Sequence, residues 1–109
     1  MKLTSKVTIY LAGPMSGYED CNYPEFNRLA ALLRSNGYRV LNPADLGFID
    51  GFICSDDYWP INKAMLKGAD YIYMLPGWES ALGAIREYEY AVSHQIYPVT
   101  LHDLGIEIS

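Results

Sequence analysis

The fold is decided by the stretch Ala69-Asp70-Tyr71-Ile72-Tyr73-Met74-Leu75-Pro76-Gly77-Trp78-Glu79-Ser80-Ala81-Leu82-Gly83-Ala84-Ile85-Arg86-Glu87. Its first seven residues are mostly apolar and aromatic, which is typical of a strand, and Pro76-Gly77 ends that run. The spacing then changes to that of an amphipathic helix, whose apolar face is formed by Ala81, Ile85, Tyr88 and Val92. A strand, a turn and a helix in this order are typical of an open parallel sheet, in which ligands bind beyond the carboxyl ends of the strands.

Glu87 is the residue of this helix that we single out as a candidate functional group. Gly83 and Ala91 lie four residues to either side of it, on the stripe next to the apolar one, so small side chains leave room beside its carboxylate. Glutamate also favours helices, and acids near a helix N-terminus are favoured by the macrodipole. Spacing alone therefore leaves Glu87 open between a functional carboxylate and a solvated surface charge.

The rest of the chain repeats the alternation of strand and helix. Strands are predicted over residues 7–12, 38–41 and 96–101, and helices from Pro24 to the Asn36-Gly37 stop and from about Pro60 to Lys67. The first strand is apolar throughout, which indicates burial on both faces, and Pro98 favours a sheet edge for the last one. Residues from Ala44 to about Asp57 form a long connection that favours a lid or a binding loop, with Asp56 or Asp57 capping the next helix.

The order β-α-β-α-β-α-β predicts one domain over residues 1–109, an α/β three-layer sandwich with a small flavodoxin-like or Rossmann-like parallel sheet. If the first strand lies between the second and third, the loops at residues 13–17 and 76–83 open on opposite sides of a switch point and form one crevice. Residues 13–17 contain neither Gly-x-Gly-x-x-Gly nor Gly-Lys-Ser, which disfavours NAD and ATP chemistry. No cofactor is predicted.

Composition excludes several classes of partner. The 109 residues carry a net charge of -5 and eight scattered Lys and Arg, which argues against a nucleic-acid polymer, although backbone amides can still hold a free nucleotide. No leader-like or membrane-spanning stretch is visible, so we expect a cytoplasmic protein without a membrane partner. Cys21, Cys54, His94 and His102 lack metal-ligand spacing, which favours free thiols, surface histidines and no metal site. Ten tyrosines suit a pocket or a subunit interface.

Five short motifs resemble, in order and spacing, the nucleoside 2-deoxyribosyltransferase superfamily over nearly the whole chain. They are Ile9-Tyr10-Leu11-Ala12-Gly13-Pro14, Asn42-Pro43-Ala44-Asp45, Ala69-Asp70, Gly83-x-x-x-Glu87-x-x-x-Ala91 and Pro98-Val99. Within that superfamily, the pattern of residues 75–80 is most similar to a small branch of unknown function common in phages and bacteria. The resemblance implies cleavage of the N-glycosidic bond of a deoxynucleoside or its monophosphate by a glutamate nucleophile.

Carried over residue by residue, the resemblance makes Glu87 the nucleophile and gives Tyr10 the task of orienting its carboxylate. Asn62 stands where the superfamily has an aspartate that assists the base, and an amide cannot deliver a proton at neutral pH. Either Asp56, Asp57 or Glu89 substitutes for that aspartate, or turnover is weak. Ser16 replaces the arginine of the monophosphate-hydrolysing branch, which leaves phosphate to backbone amides and Ser80.

The resemblance also implies a set of substrate-binding residues and a homodimer or higher homo-oligomer. The expected substrate-binding residues lie in the loops after the strands: Gly13, Pro14, Met15, Ser16, Gly17, Asn42, Pro43, Gly77, Trp78, Ser80 and Gly83. The function predicted first is cleavage or transfer at an N-glycosidic bond. The alternative is a module that binds or senses a nucleotide-derived ligand with an incomplete active site. A phosphoribohydrolase ranks last, because the chain lacks the Gly-Gly-x-Gly-Thr run of that family.

Overall fold

The structure, a computed structural model, describes residues 7–52 and 55–106, without the side chains of residues 55 and 56. It contains one parallel sheet with the strand order β2-β1-β3-β4, which confirms the predicted α/β sandwich and the central place of the first strand. The strands are β1 (Thr8–Ala12), β2 (Arg39–Leu41), β3 (Tyr71–Met74) and β4 (Tyr97–Pro98). The helices are α1 (Tyr23–Ser35), α2 (Ser55–Lys67) and α3 (Leu82–Ser93).

Strand β1 is buried along its whole length, as its apolar sequence predicts. Successive side chains point to opposite faces of the sheet, so the strand contributes to two cores. Ile9 and Leu11 join the core beneath α1, whereas Tyr10 and Ala12 join the core beneath α2 and α3. Ala12 pairs with Met74 of β3, so the two strands end together at one edge of the sheet.

Helix α1 covers the first of these faces and has the predicted limits. It begins at Tyr23 with Pro24 in its first turn, and the chain leaves it at Asn36-Gly37. Its side chains Phe26, Leu29 and Leu33 are almost completely buried against the sheet. The chain end adds Leu104 to the same core.

Helix α2 begins at Ser55, which corrects the predicted start near Pro60, and it ends at Lys67 before Gly68. A proline in the first turn of a helix removes no hydrogen bond, because the N–H groups there have no partner within the helix. The structure places Pro60 inside the helix, where its missing N–H removes one bond to the carbonyl four residues earlier. Asp56 and Asp57, predicted to cap the helix, therefore belong to its first turn.

The predicted long loop from Ala44 to about Asp57 is also shorter than expected. Pro43–Leu46 form a 3₁₀ helix that Asn42 caps, since its Oδ1 accepts a hydrogen bond of 3.1 Å from the Ala44 N–H. Residues 47–52 remain irregular, and the hydroxyls of Tyr23 and Tyr58 both donate to the Gly47 carbonyl at 3.3 Å. Residues 53 and 54 of the predicted loop, and so Cys54, lie outside the described residues, and the last residues of that loop belong to α2.

Helix α3 turns a different face to the sheet from the one that its apolar spacing predicts. Ala81, Ile85, Tyr88 and Val92 are only half-buried, and the buried positions are Ala84, Glu87 and Ala91. From this apolar face, the Tyr88 ring covers the segment before the helix, where it stacks on Trp78 with centroids 4.8 Å apart. The small side chains of Ala84 and Ala91 let α3 approach the sheet closely. The buried Glu87 carboxylate accepts a hydrogen bond from the Tyr10 hydroxyl of β1.

Strand β4 comprises only Tyr97–Pro98, which corrects the prediction over residues 96–101. Pro98 has no N–H to donate, but the next N–H, that of Val99, still donates to the Ile72 carbonyl at 2.9 Å, and β4 lies at the sheet edge as that proline predicts. The chain then turns at Thr100, whose N–H donates to Asp103 Oδ2 at 2.9 Å. This turn carries Leu101 and Leu104 back into the core beneath α1.

Candidate functional site

A cavity of about 370 Å³ opens at the edge of the sheet where β1 and β3 end. This volume lies within the range of small-molecule sites. Both loops that were predicted to form one crevice contribute to its walls, together with the first turns of α3. The lining residues are Leu11, Gly13, Pro14, Met15, Ser16, Tyr18, Phe26, Pro43, Asn62, Gly77, Ser80, Ala81, Leu82, Gly83, Ala84 and Glu87.

Two glycines allow the loops to come close enough to enclose this cavity. A Cβ atom on Gly13 would lie 2.6 Å from the Leu75 Cβ, so only glycine lets the first loop pass the end of β3. Gly77 has a φ of 89°, and a Cβ atom there would lie 2.7 Å from the Tyr18 hydroxyl oxygen. A side chain at Gly13 would push the first loop away from the end of β3, whereas one at Gly77 would be strained by the positive φ and would displace the Tyr18 hydroxyl.

Glu87 is the ionisable side chain on the cavity wall, and it is 7% exposed. Its Oε2 accepts a hydrogen bond of 2.6 Å from the hydroxyl of Tyr10, which lies beneath it on β1. Side chains on a helix point back toward its N-terminus, so a carboxylate at the second turn of α3 reaches the start of the helix. The contact expected between Tyr10 and Glu87 is thus present.

Burial raises the pKa of Glu87 to about 7, because the charged carboxylate loses water. Hydrogen bonds from Tyr10 and Asn62 and the charge of Arg86 act in the opposite direction and lower this pKa. Burial first, and then the charge and hydrogen bond of Glu87, raise the pKa of Tyr10 well above its usual value. Tyr10 therefore stays a hydrogen-bond donor, while Glu87 titrates near neutrality.

Asn62 on α2 lines the cavity beside Glu87 and donates a hydrogen bond to its carboxylate. The other amide atom, Oδ1, is buried and has no partner among the described residues. A buried acceptor without a donor costs about 1–3 kcal/mol in a folded protein. Asn62 therefore combines a donor to Glu87 with a buried acceptor that no described residue satisfies.

Most of the residues predicted to bind substrate line the cavity: Gly13, Pro14, Met15, Ser16, Pro43, Gly77, Ser80 and Gly83. Gly17, Asn42 and Trp78 are not among the lining residues. Asn42 is buried and serves the chain itself, since its Nδ2 donates to Asn27 Oδ1 at 3.0 Å while its Oδ1 caps the following 3₁₀ helix. Trp78 packs on Tyr88, which leaves its ring outside the cavity wall.

The carboxylates expected to replace the missing aspartate are not on the described cavity wall. Glu89 is exposed on α3, and Asp57 on α2 is not a lining residue. The side chain of Asp56 lies outside the described residues. Among the described lining residues, Glu87 therefore has the Asn62 amide beside it and no second carboxylate.

Sequence reasoning missed several lining residues, among them the half-exposed Tyr18. Leu11 and Phe26 are core side chains that reach the inner wall, and Leu82 is 84% exposed at the start of α3. Tyr18 follows the glycine-containing loop directly, and its ring is the aromatic group nearest to that loop in the sequence. Aromatic residues next to glycine loops are a signal that would have found it.

The remaining chemistry-bearing residues lie away from this cavity. Cys21 is a free thiol in the segment before α1, and His94 and His102 are exposed, as predicted. The described residues contain no cluster of His, Cys, Asp and Glu suited to a metal ion. In the same ranges, 7–52 and 55–106, no helix combines the length and apolarity needed to cross a bilayer.

Comparison with protein families places almost the whole chain in one of them. Residues 7–100 match DUF4406, described as a domain of unknown function, and the chain belongs to this family. The match spans β1 to the end of β4, and so it contains every lining residue of the cavity. A search of curated proteins gave no match.

Proposed function

We propose that this DUF4406 domain cleaves or transfers the N-glycosidic bond of a nucleoside or nucleoside monophosphate, with Glu87 as the nucleophile. One observation carries the proposal: a buried carboxylate stands on the wall of a cavity of about 370 Å³ and is held by a tyrosine hydroxyl at 2.6 Å. Burying a carboxylate is costly, and such groups concentrate at sites of chemistry. The resemblance to nucleoside 2-deoxyribosyltransferases supports the same assignment.

In the proposed reaction, a Glu87 oxygen attacks the anomeric carbon of the sugar. A C–O bond to Glu87 forms while the C–N bond to the base breaks, and the bonding electron pair leaves with the base. Water protonates the departing base, because the amide of Asn62 cannot do so. A second base or water then attacks the anomeric carbon and releases Glu87, which completes transfer or hydrolysis.

The pKa of Glu87 suits this role. A nucleophilic carboxylate must be ionised, and with a pKa of about 7 the ionised fraction rises as the pH passes through neutrality. The Tyr10 hydroxyl holds the carboxylate in one orientation and keeps its own proton. The rate of base release should therefore rise with pH through about 7 and level off above it.

The second candidate function is binding or sensing of a nucleotide-derived ligand without turnover. Asn62 favours it, since the residue that would protonate the base is an amide. The cavity and the hydroxyls of Ser16 and Ser80 would serve binding equally well. Only an assay of bond cleavage separates the two functions.

The test is incubation with a panel of nucleosides and nucleoside monophosphates, with and without a second free base, followed by chromatography of the released base. We expect release from at least one substrate and a loss on the order of 1,000-fold or more in Glu87→Gln. The matched control is Glu89→Gln, which changes an exposed glutamate of the same helix and should retain wild-type rates. Near wild-type turnover by Glu87→Gln would refute the assignment.

A panel without any base release would leave the binding function to be tested by thermal shift. A ligand that binds only the folded state raises the unfolding temperature by mass action. Stabilisation without cleavage would support the second candidate. No stabilisation by any nucleoside, nucleotide or free base would refute both candidates.

A further inference from the structure

Tyr18 is a cavity-lining residue to which the proposed reaction gives no task. It lies between the first loop and α1, and it is 46% exposed although it lines the cavity. An aromatic ring of this kind presents a large apolar surface to whatever enters. Leu82, also apolar and 84% exposed, lines the same cavity from α3.

The position of the Tyr18 ring is defined from two sides. Its hydroxyl lies so close to Gly77 that a Cβ atom there would be at 2.7 Å, which places the ring across the gap between the two loops. Its backbone is held by a hydrogen bond of 3.2 Å from the Tyr18 N–H to the Met15 carbonyl. The Cys21 N–H in turn donates to the Tyr18 carbonyl at 3.0 Å.

The three residues before α1 hold this arrangement at an energetic cost. Asp20, Cys21 and Asn22 all have left-handed backbone conformations, with φ of 52°, 55° and 61°. Each such residue other than glycine costs about 1–2 kcal/mol. The Asn22 side chain fastens the segment to the first loop, since its Nδ2 donates to the Pro14 carbonyl at 2.9 Å. Strain of this kind persists in proteins mainly where the geometry serves a ligand.

We propose that Tyr18 is a binding residue of the cavity and packs against the planar base of a nucleoside whose sugar lies at Glu87. This inference rests on the proposed function, because it takes the position of the sugar from the nucleophile. A nucleoside is longer than its sugar, so a sugar held at the buried carboxylate leaves the base near the more exposed residues. At that position the Tyr18 ring provides a flat apolar surface on which the flat face of any base can stack.

The test measures binding in the Glu87→Gln background, where the nucleoside is not consumed. The probes are 2′-deoxyadenosine and thymidine, with 2-deoxyribose as the probe that lacks a base, and each Kd is measured by NMR titration. Tyr18→Ala should raise the Kd of 2′-deoxyadenosine about tenfold, and that of thymidine less, because base stacking grows with ring area. The Kd of 2-deoxyribose should stay within about twofold, and Tyr18→Phe should keep nearly the full affinity, because it keeps the ring.

The matched control is Tyr97→Ala, which removes another half-exposed tyrosine from the edge strand β4, outside the cavity lining. It should leave all three Kd values unchanged. A nucleoside Kd that Tyr18→Ala does not raise, or an equal rise for nucleoside and 2-deoxyribose, would overturn the role of Tyr18 and leave the proposed function intact. If the Glu87→Gln protein bound neither nucleoside, that result would contradict the proposed function, and the inference about Tyr18 would be refuted with it.

Discussion

The two faces of the sheet are built from alternate residues of the same strands and on different principles. The face beneath α1 is apolar and closely packed, with Leu11, Leu29, Leu33 and Leu104 among its most buried side chains. The face beneath α2 and α3 buries the polar pair of Tyr10 and Glu87 next to alanines and a cavity. The first face therefore stabilises the fold, while the second keeps an ionisable group out of water.

This difference shows where the chain gives up stability. Filling the second face with leucines would bury more apolar surface and remove the cost of a desolvated carboxylate. The chain instead places Ala84, Glu87 and Ala91 on the buried stripe of α3. A costly arrangement that packing does not require points to a function, which is the reason for placing the proposed chemistry on this face.

The largest expected effect is on stability, at the apolar face. Leu33→Ala removes a fully buried side chain of α1 and should lower the free energy of unfolding by about 3 kcal/mol, through lost burial and the cavity left behind. Because Leu33 does not line the cavity that holds Glu87, the loss should be the same at pH 5 and pH 8. Urea unfolding at the two pH values measures it. A loss that changes with pH would mean that the two faces are not independent.

The polar face should show the opposite behaviour, because its contribution depends on pH. The folded protein holds the proton of Glu87 up to a pKa of about 7, above the ordinary 4.5, so stability is lost as the pH rises between these values. Glu87→Gln removes this loss and should be more stable than the wild type by up to about 3 kcal/mol at pH 8. At pH 4 the two proteins should be nearly equal.

The glutamine can be accommodated because both of its neighbours adapt. Its oxygen accepts from Tyr10, and a rotated Asn62 amide turns its unpartnered Oδ1 toward the new N–H. Glu89→Gln is the matched control and should follow the wild-type pH dependence, since Glu89 is exposed. A Glu87→Gln protein whose unfolding free energy runs parallel to that of the wild type would show that Glu87 has an ordinary pKa.

The sequence predicted the apolar face well and the polar face only in outline. The limits of α1 and the burial of β1 follow from periodicity and from Pro24 and Asn36-Gly37, which act locally. Periodicity misplaced the buried face of α3, because it counts apolar residues, and the buried stripe there contains Glu87. What buries Glu87 is Tyr10, which is distant in sequence.

The candidate site could be predicted as far as its loops but not its walls. Gly13 and Gly77 marked the loops, whereas periodicity did not predict that Tyr18, in the segment before α1, lines the cavity. The prediction for Asn42 was wrong in the opposite direction. As a polar residue after a strand it was expected to bind the ligand, but its side chain caps the 3₁₀ helix Pro43–Leu46. A side chain that satisfies the backbone cannot be distinguished by type from one that faces a ligand.

A smaller effect is expected from restoring an acid at position 62. Asn62→Asp places a carboxyl beside Glu87, where it can protonate the departing base, and should raise the rate of base release by about tenfold or more. The pH profile should gain a falling limb, since the new acid must be protonated to act. The measurement is base release as a function of pH on the best substrate of the panel. An unchanged rate and profile would mean that position 62 has no role in proton transfer.

The smallest expected effect distinguishes the contribution of Tyr10 from that of Glu87. The Tyr10 hydroxyl lowers the pKa of Glu87 by its hydrogen bond of 2.6 Å, so Tyr10→Phe should raise that pKa above about 7. Base release should then fall more at pH 6 than at pH 9, and the midpoint of its rise should move to higher pH.

The matched control is Tyr38→Phe, which removes a buried hydroxyl from the other face, where it donates to the Leu104 carbonyl at 3.0 Å. That variant should lose about 1 kcal/mol of stability and keep the midpoint. A midpoint that Tyr10→Phe leaves in place would mean that Tyr10 fills space beneath Glu87 without tuning its charge.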